Sequence, residues 1–198
     1  FERPDDANKG TLGSLLCVCG SYGMAGAAVM SAKGALRTGI GLAKCALPRS
    51  IYPIVAQTIL ESVYYPLSEN ADGRISKVNV PFLVSESCKS SATLVGCGLG
   101  VCDDTLKIVF SLIENSTTPL VLDADALNCV AKQPEILLRK KAPIIITPHP
   151  GEMSRLTGLA TPLVNAERER VALDFAQKYA KRQGACEPDR QFGNGNRR

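Results

Sequence analysis

Along most of this chain, apolar segments of about five residues alternate with longer amphipathic segments, a rhythm that few architectures accept. A short apolar run without polar alternation reads as a strand covered on both faces, and residues recurring at three- and four-residue spacing read as helical crossovers. The pattern therefore predicts an α/β chain on a mostly parallel sheet. In such a sheet, ligands bind beyond the carboxyl ends of the strands, so the residues directly after each strand are where chemistry is sought.

Ser14 to Cys19 reads as the first strand, Gly20 to Gly26 as a loop, and Ala27 to Arg37 as a small-residue helix stopped by Gly39. Leu42 to Leu47 is a second strand, followed by a helix that opens near Pro48-Arg49-Ser50 and carries Ile54, Ile59 and Val63. Residues 66 to 79 are polar and glycine-containing, a surface excursion. Ala92 to Val95 is a strand entering Gly96-Cys97-Gly98-Leu99-Gly100, after which Asp103 caps a helix with Leu106, Val109, Phe110 and Ile113 at helical spacing. Pro119 to Leu122 is a strand ending at Asp123. Helices over Ala126 to Lys132 and Pro134 to Lys140 lead to the strand Ala142 to Thr147. The last helix takes Asn165 as its N-cap and buries Val171, Phe175 and Tyr179. Residues 1–181 form one domain, and residues 182–198 lose all periodicity and read as an aberrant, disordered tail.

Composition excludes several functions. With 45% hydrophobic and 21% charged residues, a chain of this size buries roughly 70% of its surface and needs no disulfide scaffold. The eight cysteines mostly sit inside apolar runs, as expected for free thiols in a reducing compartment. Cys17 and Cys19 are one residue apart and the single histidine, His149, has no cysteine near it, so no zinc pair fits. No signal peptide and no apolar run approaching about 18 residues is present, which reads as a cytoplasmic chain with no membrane contact. Most of the net charge of +4 resides in the tail: residues 1–180 hold 18 Lys/Arg against 17 Asp/Glu, and residues 181–198 hold five against two. No basic stripe interleaves with aromatics, so no nucleic acid is expected.

Four strand ends carry candidate chemistry. In Gly20 to Ala28 the glycines let backbone approach a ligand, and the following helix offers N–H groups to a phosphate; a tight turn alone would also use these glycines. Gly96 to Gly100 offers a loop of little bulk against a planar or phosphorylated ligand, with the same alternative. Asp123 places a carboxylate at a strand end, where it accepts from a hydroxyl or holds hydrated magnesium, while Asp125 caps a helix. Thr147-Pro148-His149-Pro150-Gly151-Glu152 is a rigid polar loop with prolines flanking the histidine and a carboxylate three residues on. The nucleophile elbow G-x-S-x-G is absent.

The wording and order of NKGTLGSLLCVCGSYGMAGAAVMSAKGALRTGIGL, VGCGLG, PLVLDADALN and ITPHPGEMSRLTG closely resemble the NAD(P)H-hydrate dehydratase family over about residues 8–180. The family usually has His at Asn8 and Pro at Cys97. The resemblance implies a ribokinase-like three-layer α/β/α sandwich and a lyase that repairs hydrated NADHX or NADPHX. ADP or ATP would be the phosphoryl donor, with Mg²⁺ as cofactor. It puts Ala27, Gly98, His149 and Asp123 on the substrate side and Glu152 on the metal side, with Asp123 and Glu152 together organising magnesium and water. It also implies a homotetramer. The family continues with a Leu-Lys-Gly strand and a Gly-(Thr/Ser)-Gly-Asp loop that binds nucleotide phosphates and supplies the catalytic base. Neither motif occurs in these 198 residues. A C-terminally truncated chain, or one whose reading frame shifts after about Gln183, is therefore expected, keeping much of the substrate half with its catalysis impaired. The rival readings are a vitamin-precursor kinase of the same superfamily, against which the Pro-His-Pro-Gly-Glu wording argues, and a non-catalytic dinucleotide-binding or subunit-association module.

Overall fold

The computed structural model of the chain describes residues 11–180. Six parallel strands form one sheet: β1 (Ser14–Val18), β2 (Leu42–Pro48), β3 (Val63–Leu67), β4 (Ala92–Val95), β5 (Leu120–Leu122) and β6 (Ile144–Ile146). Their spatial order is β3-β2-β1-β4-β5-β6. The chain thus runs outward from β1 to one edge, returns, and builds the other half from β4. The reversal falls between β1 and β4, which pair with Val18 opposite Val95. At such a reversal the adjoining loops diverge and leave a crevice at the carboxyl ends of the strands.

Strand alternation feeds two cores. Cys17, Cys45 and Leu47 point to one face and bury α1 (Ala25–Arg37) and α2 (Tyr52–Thr58) through Ala28, Ala32, Val55 and Ile59. Leu16, Val18, Val95, Leu120 and Leu122 point to the other face. They meet α3 (Val80–Cys88), α4 (Asp103–Asn115), α5 (Asp125–Val130) and, beyond β6, α6 (Pro150–Thr157), α7 (Thr161–Ala166) and α8 (Arg168–Ala180). The three-layer α/β/α sandwich expected from the sequence is present. Burial pushes the Cys17 thiol well up, helped by Cys45 and Cys97 beside it, and raises the Cys45 thiol. Burial likewise raises the Cys129 thiol to about 11. These are core hydrophobes, inert as nucleophiles.

Several element assignments need correction. The helix expected to carry Ile54, Ile59 and Val63 stops at Thr58, and Val63 opens the edge strand β3. Its buried face is Ile51, Val55 and Ile59, with Ile54 57% exposed. The run Val63-Tyr64-Tyr65 is β-branched and aromatic, and pairing with β2 from Lys44 to Pro48 decides its state. Cys102, not Asp103, is the N-cap of α4: it exchanges bonds with Thr105, and Asp103 and Asp104 occupy the first turn, where the helix dipole favours them. Asn165 is no N-cap. It lies inside α7, its side chain accepting from Arg168, and the long helix begins at Arg168. Pro134–Arg139 is a 3₁₀ segment. The stretch Pro148 to Glu152 is a helix entrance rather than a free loop, as described below. Asn8 and the expected tail at 182–198 lie outside the described residues. No helix among the described residues is long and apolar enough to cross a membrane.

Candidate functional site

The crevice at the β1/β4 reversal is lined by backbone. Gly20 (φ +86°) lies two residues past β1, and its N–H donates to the Cys97 carbonyl at 2.9 Å, joining the two glycine loops. The buried Ser21 hydroxyl donates to the Gly98 carbonyl at 2.8 Å. Gly98 (φ +66°) lies so near α1 that a Cβ there would stand 2.7 Å from the Ala27 Cβ and 3.1 Å from that of Met24. Any side chain at 98 would collide with the start of α1. Helix α1 has Met24 as its N-cap residue, with no side-chain cap and no acidic residue in its first turn. The positive end of its dipole is left for an anion.

The next strand end is joined to the first two. Asp123 is held by two donors: the Thr147 hydroxyl to Oδ1 at 2.7 Å and the Cys97 thiol to Oδ2 at 3.3 Å. One comes from the loop after β4, the other from the end of β6. Asp125, expected as a helix cap, instead accepts the Gly100 N–H at 2.8 Å, and Ala124 is the N-cap residue of α5. Ala124 has φ 47° and ψ −113°, a conformation suited to glycine. Gly96 could carry no side chain at all, because a Cβ would lie 1.9 Å from the Asp123 carbonyl oxygen.

The fourth strand end opens α6. His149 is the N-cap: Nδ1 accepts the Gly151 N–H at 3.0 Å, so the neutral ring carries its proton on Nε2, 3.3 Å from Glu152 Oε1. Glu152 Oε2 accepts the His149 backbone N–H at 2.9 Å, completing a capping box, and Pro150 takes the first helical position. The imidazole is 62% exposed and the carboxylate 7%. Glu152, expected on the metal side, thus has both oxygens engaged by His149. Among the described residues no three His, Cys, Asp or Glu side chains gather to hold a metal. Asp123 also has one donor on each oxygen, so it would hold a magnesium ion only through that ion's own waters.

Ala27, Gly98, Asp123 and His149 therefore lie on successive turns along one rim of the sheet. A groove of about 530 Å³ lies elsewhere, between β6 and α8, lined by Leu137, Ile145, Phe175 and Tyr179. Its walls are apolar, and Lys140 beside it donates to the Leu137 and Tyr179 carbonyls, so among the described residues no polar groups converge there to orient a ligand. Sequence reasoning did not foresee Thr147 or Cys97 as partners of Asp123, nor Asp125 as a tie to the second glycine loop. Thr147 alone had a local signal, its place at the head of the Pro-His-Pro-Gly motif.

A family model described as NAD(P)H-hydrate dehydratase matches residues 15–182. The chain belongs to that family. A bifunctional NAD(P)H-hydrate repair enzyme from Thermofilum pendens is 38% identical over 176 residues, which cover 89% of this chain and 34% of that protein. The ADP/ATP-dependent NAD(P)H-hydrate dehydratase of Bacillus subtilis, co-crystallised with ATP/Mg²⁺, superposes with a TM-score of 0.72 at 27% identity. It is covered over 91% of this chain and 60% of its own. A ribokinase-like superfamily protein from Enterococcus faecalis shares the fold at TM-score 0.68 and 19% identity, covering 87% of this chain and 58% of that one. The chain spans about a third of the Thermofilum relative's length.

Proposed function

We propose that this chain supplies the dinucleotide cradle for an ADP- or ATP-dependent dehydration of NADHX or NADPHX back to NADH or NADPH. The reading rests chiefly on the approach of Gly98 to Ala27 at the β1/β4 crevice, with Asp123 held one strand away by Cys97 and Thr147. A flat wall of glycine and alanine backbone accepts a planar ring and a pyrophosphate closely, and the uncapped start of α1 favours their negative charge. Family membership and the likeness to the Bacillus subtilis enzyme support the same substrate.

The chemistry needs a ring hydroxyl to become a leaving group. Phosphoryl transfer to that oxygen achieves it, and departure of phosphate with loss of a ring proton restores the double bond. Magnesium would neutralise charge on the phosphates, held by Asp123. His149, oriented by Gly151 and Glu152 and 62% exposed, presents the open edge of its ring to the substrate. Glu152 contributes through that imidazole.

The test incubates the chain with NADPHX, ADP or ATP, and Mg²⁺. The proposal expects recovery of reduced-nicotinamide absorbance with one phosphate released per turnover, at a rate well below that of a full-length relative, because the Gly-(Thr/Ser)-Gly-Asp motif does not occur in these 198 residues. A stable phosphorylated alcohol without phosphate release identifies a kinase instead, and binding of NADPH with no turnover leaves a binding module. Failure to bind any dinucleotide overturns the cradle itself.

A further inference from the structure

The excursion between β3 and α3 brings a cation to the cradle that nothing in the local sequence places there. Glu69 and Ile75 form an antiparallel bridge, and Ile75 is fully buried, so the loop between them is tied down at both ends. Within it, Asn70 Oδ1 accepts the backbone N–H groups of Asp72 and Arg74 at 3.0 and 3.1 Å, and the Asn70 N–H donates to the Arg74 carbonyl at 2.9 Å. The Asn70 amide also donates to Asp104 in α4 at 3.1 Å.

This loop is fastened to both glycine loops of the crevice. The Tyr22 N–H donates to the Gly73 carbonyl at 2.8 Å. The Arg74 side chain lies across Gly100, where a Cβ would stand 2.4 Å from Nε and 2.9 Å from Cδ. Gly100 is two residues beyond Gly98. Arg74 pairs with Asp72 at 3.1 Å, and that carboxylate is 67% exposed. A surface pair two residues apart is weak and screened, and it engages only part of a guanidinium with five N–H donors. Arginine's fork matches phosphate oxygens in pairs.

We propose that Arg74 is a phosphate-binding residue of the cradle, receiving a phosphoryl group of the bound dinucleotide. The proposal rests on the dinucleotide reading above and deepens it. Arg74 enters from the β3 side of the rim and Asp123 from the β5 side, so one ligand lying along the crevice meets a cation at one end and the reacting centre at the other. The phosphates of an extended dinucleotide are likewise displaced from its nicotinamide ring. Two sources share this chemistry, the pyrophosphate bridge and the ribose 2′-phosphate.

Calorimetric titration of the full chain with NADH, NADPH and ADP separately, on the unaltered protein and on Arg74→Gln and Arg74→Lys, tests it. Arg74→Gln should weaken NADPH binding roughly tenfold or more. Arg74→Lys should recover part of that, keeping charge but not the fork. Equal loss for NADH and NADPH assigns the pyrophosphate, and loss for NADPH alone assigns the 2′-phosphate; either outcome supports the proposal. Unchanged dinucleotide affinity, or loss confined to ADP, overturns it while leaving the cradle intact. If Arg74→Gln unfolds, the salt dependence of NADPH affinity in the Arg74→Lys variant decides, a slope and affinity matching the unaltered chain counting against the bidentate contact. Absence of dinucleotide binding by the unaltered protein overturns both readings.

Discussion

At the scale of single residues, the rim is built by positions that tolerate no side chain beside one that is strained. Gly96 and Gly98 are fixed by contacts of 1.9 and 2.7 Å that a Cβ would make. Ala124, between Asp123 and Asp125, is the one non-glycine residue with positive φ among those described. Such a conformation costs about 1–3 kcal/mol. Ala124→Gly should relieve it, and the extra freedom of glycine in the unfolded chain, about 0.4–1 kcal/mol, offsets only part of the gain. A net stabilisation of about 1 kcal/mol is expected in urea or thermal unfolding; a loss of stability would show that the backbone at 124 is unstrained. The glycines and Asp123 were legible because strand-end position and residue type are local properties. The donors that hold Asp123, Cys97 and Thr147, come from two other strand ends and carry no local mark of the task.

Elements meet the site chiefly through helix starts. At α6 the imidazole of His149 serves as N-cap with one nitrogen and faces Glu152 with the other. Capping and ligand contact are separable. His149→Asn keeps a side-chain acceptor at the N-cap, and His149→Ala removes it, so the alanine variant should lose about 1 kcal/mol of stability and the asparagine variant much less. Both should weaken dinucleotide binding to a similar degree if the ring touches substrate. Thermal melts with calorimetry check this, and asparagine binding as well as histidine would reduce His149 to a cap. Strands β1, β2, β4 and β5 were readable as buried apolar runs. The edge strand β3 was not: Val63 falls at a helical interval after Ile59, and only pairing with β2 overrides that spacing. Asn165 misled in the same way, having the chemistry of a cap without the backbone of one.

Across the whole molecule, the two faces of the sheet carry separate apolar cores, and a charged network crosses between elements at the margin. Glu86 of α3, 9% exposed, meets Lys89 at 2.9 Å, the Tyr65 hydroxyl of β3 at 3.1 Å and Lys44 of β2 at 3.6 Å. Bonding to Lys89 first, then to Tyr65 and Lys44, holds its carboxyl below the usual 4.5. A depressed folded pKa adds stability that is complete above the unfolded value and lost as pH falls through the folded one. Unfolding midpoints should therefore drop as pH falls below about 4.5, and Glu86→Gln should flatten part of that drop. An identical acid profile in the variant would remove Glu86 from the account. Hydrophobic rhythm and strand-end wording, both written along the chain, determined the layered parallel sheet and the identity of the rim residues, because burial period and turn chemistry are decided within a few neighbours. Which residues touch across that rim was decided only in three dimensions. The Cys97–Asp123–Thr147 clasp and the reach of Arg74 over Gly100 join segments separated by 24 to 26 residues, and no local pattern encodes a contact that exists only once the crossovers have brought their loops to one edge.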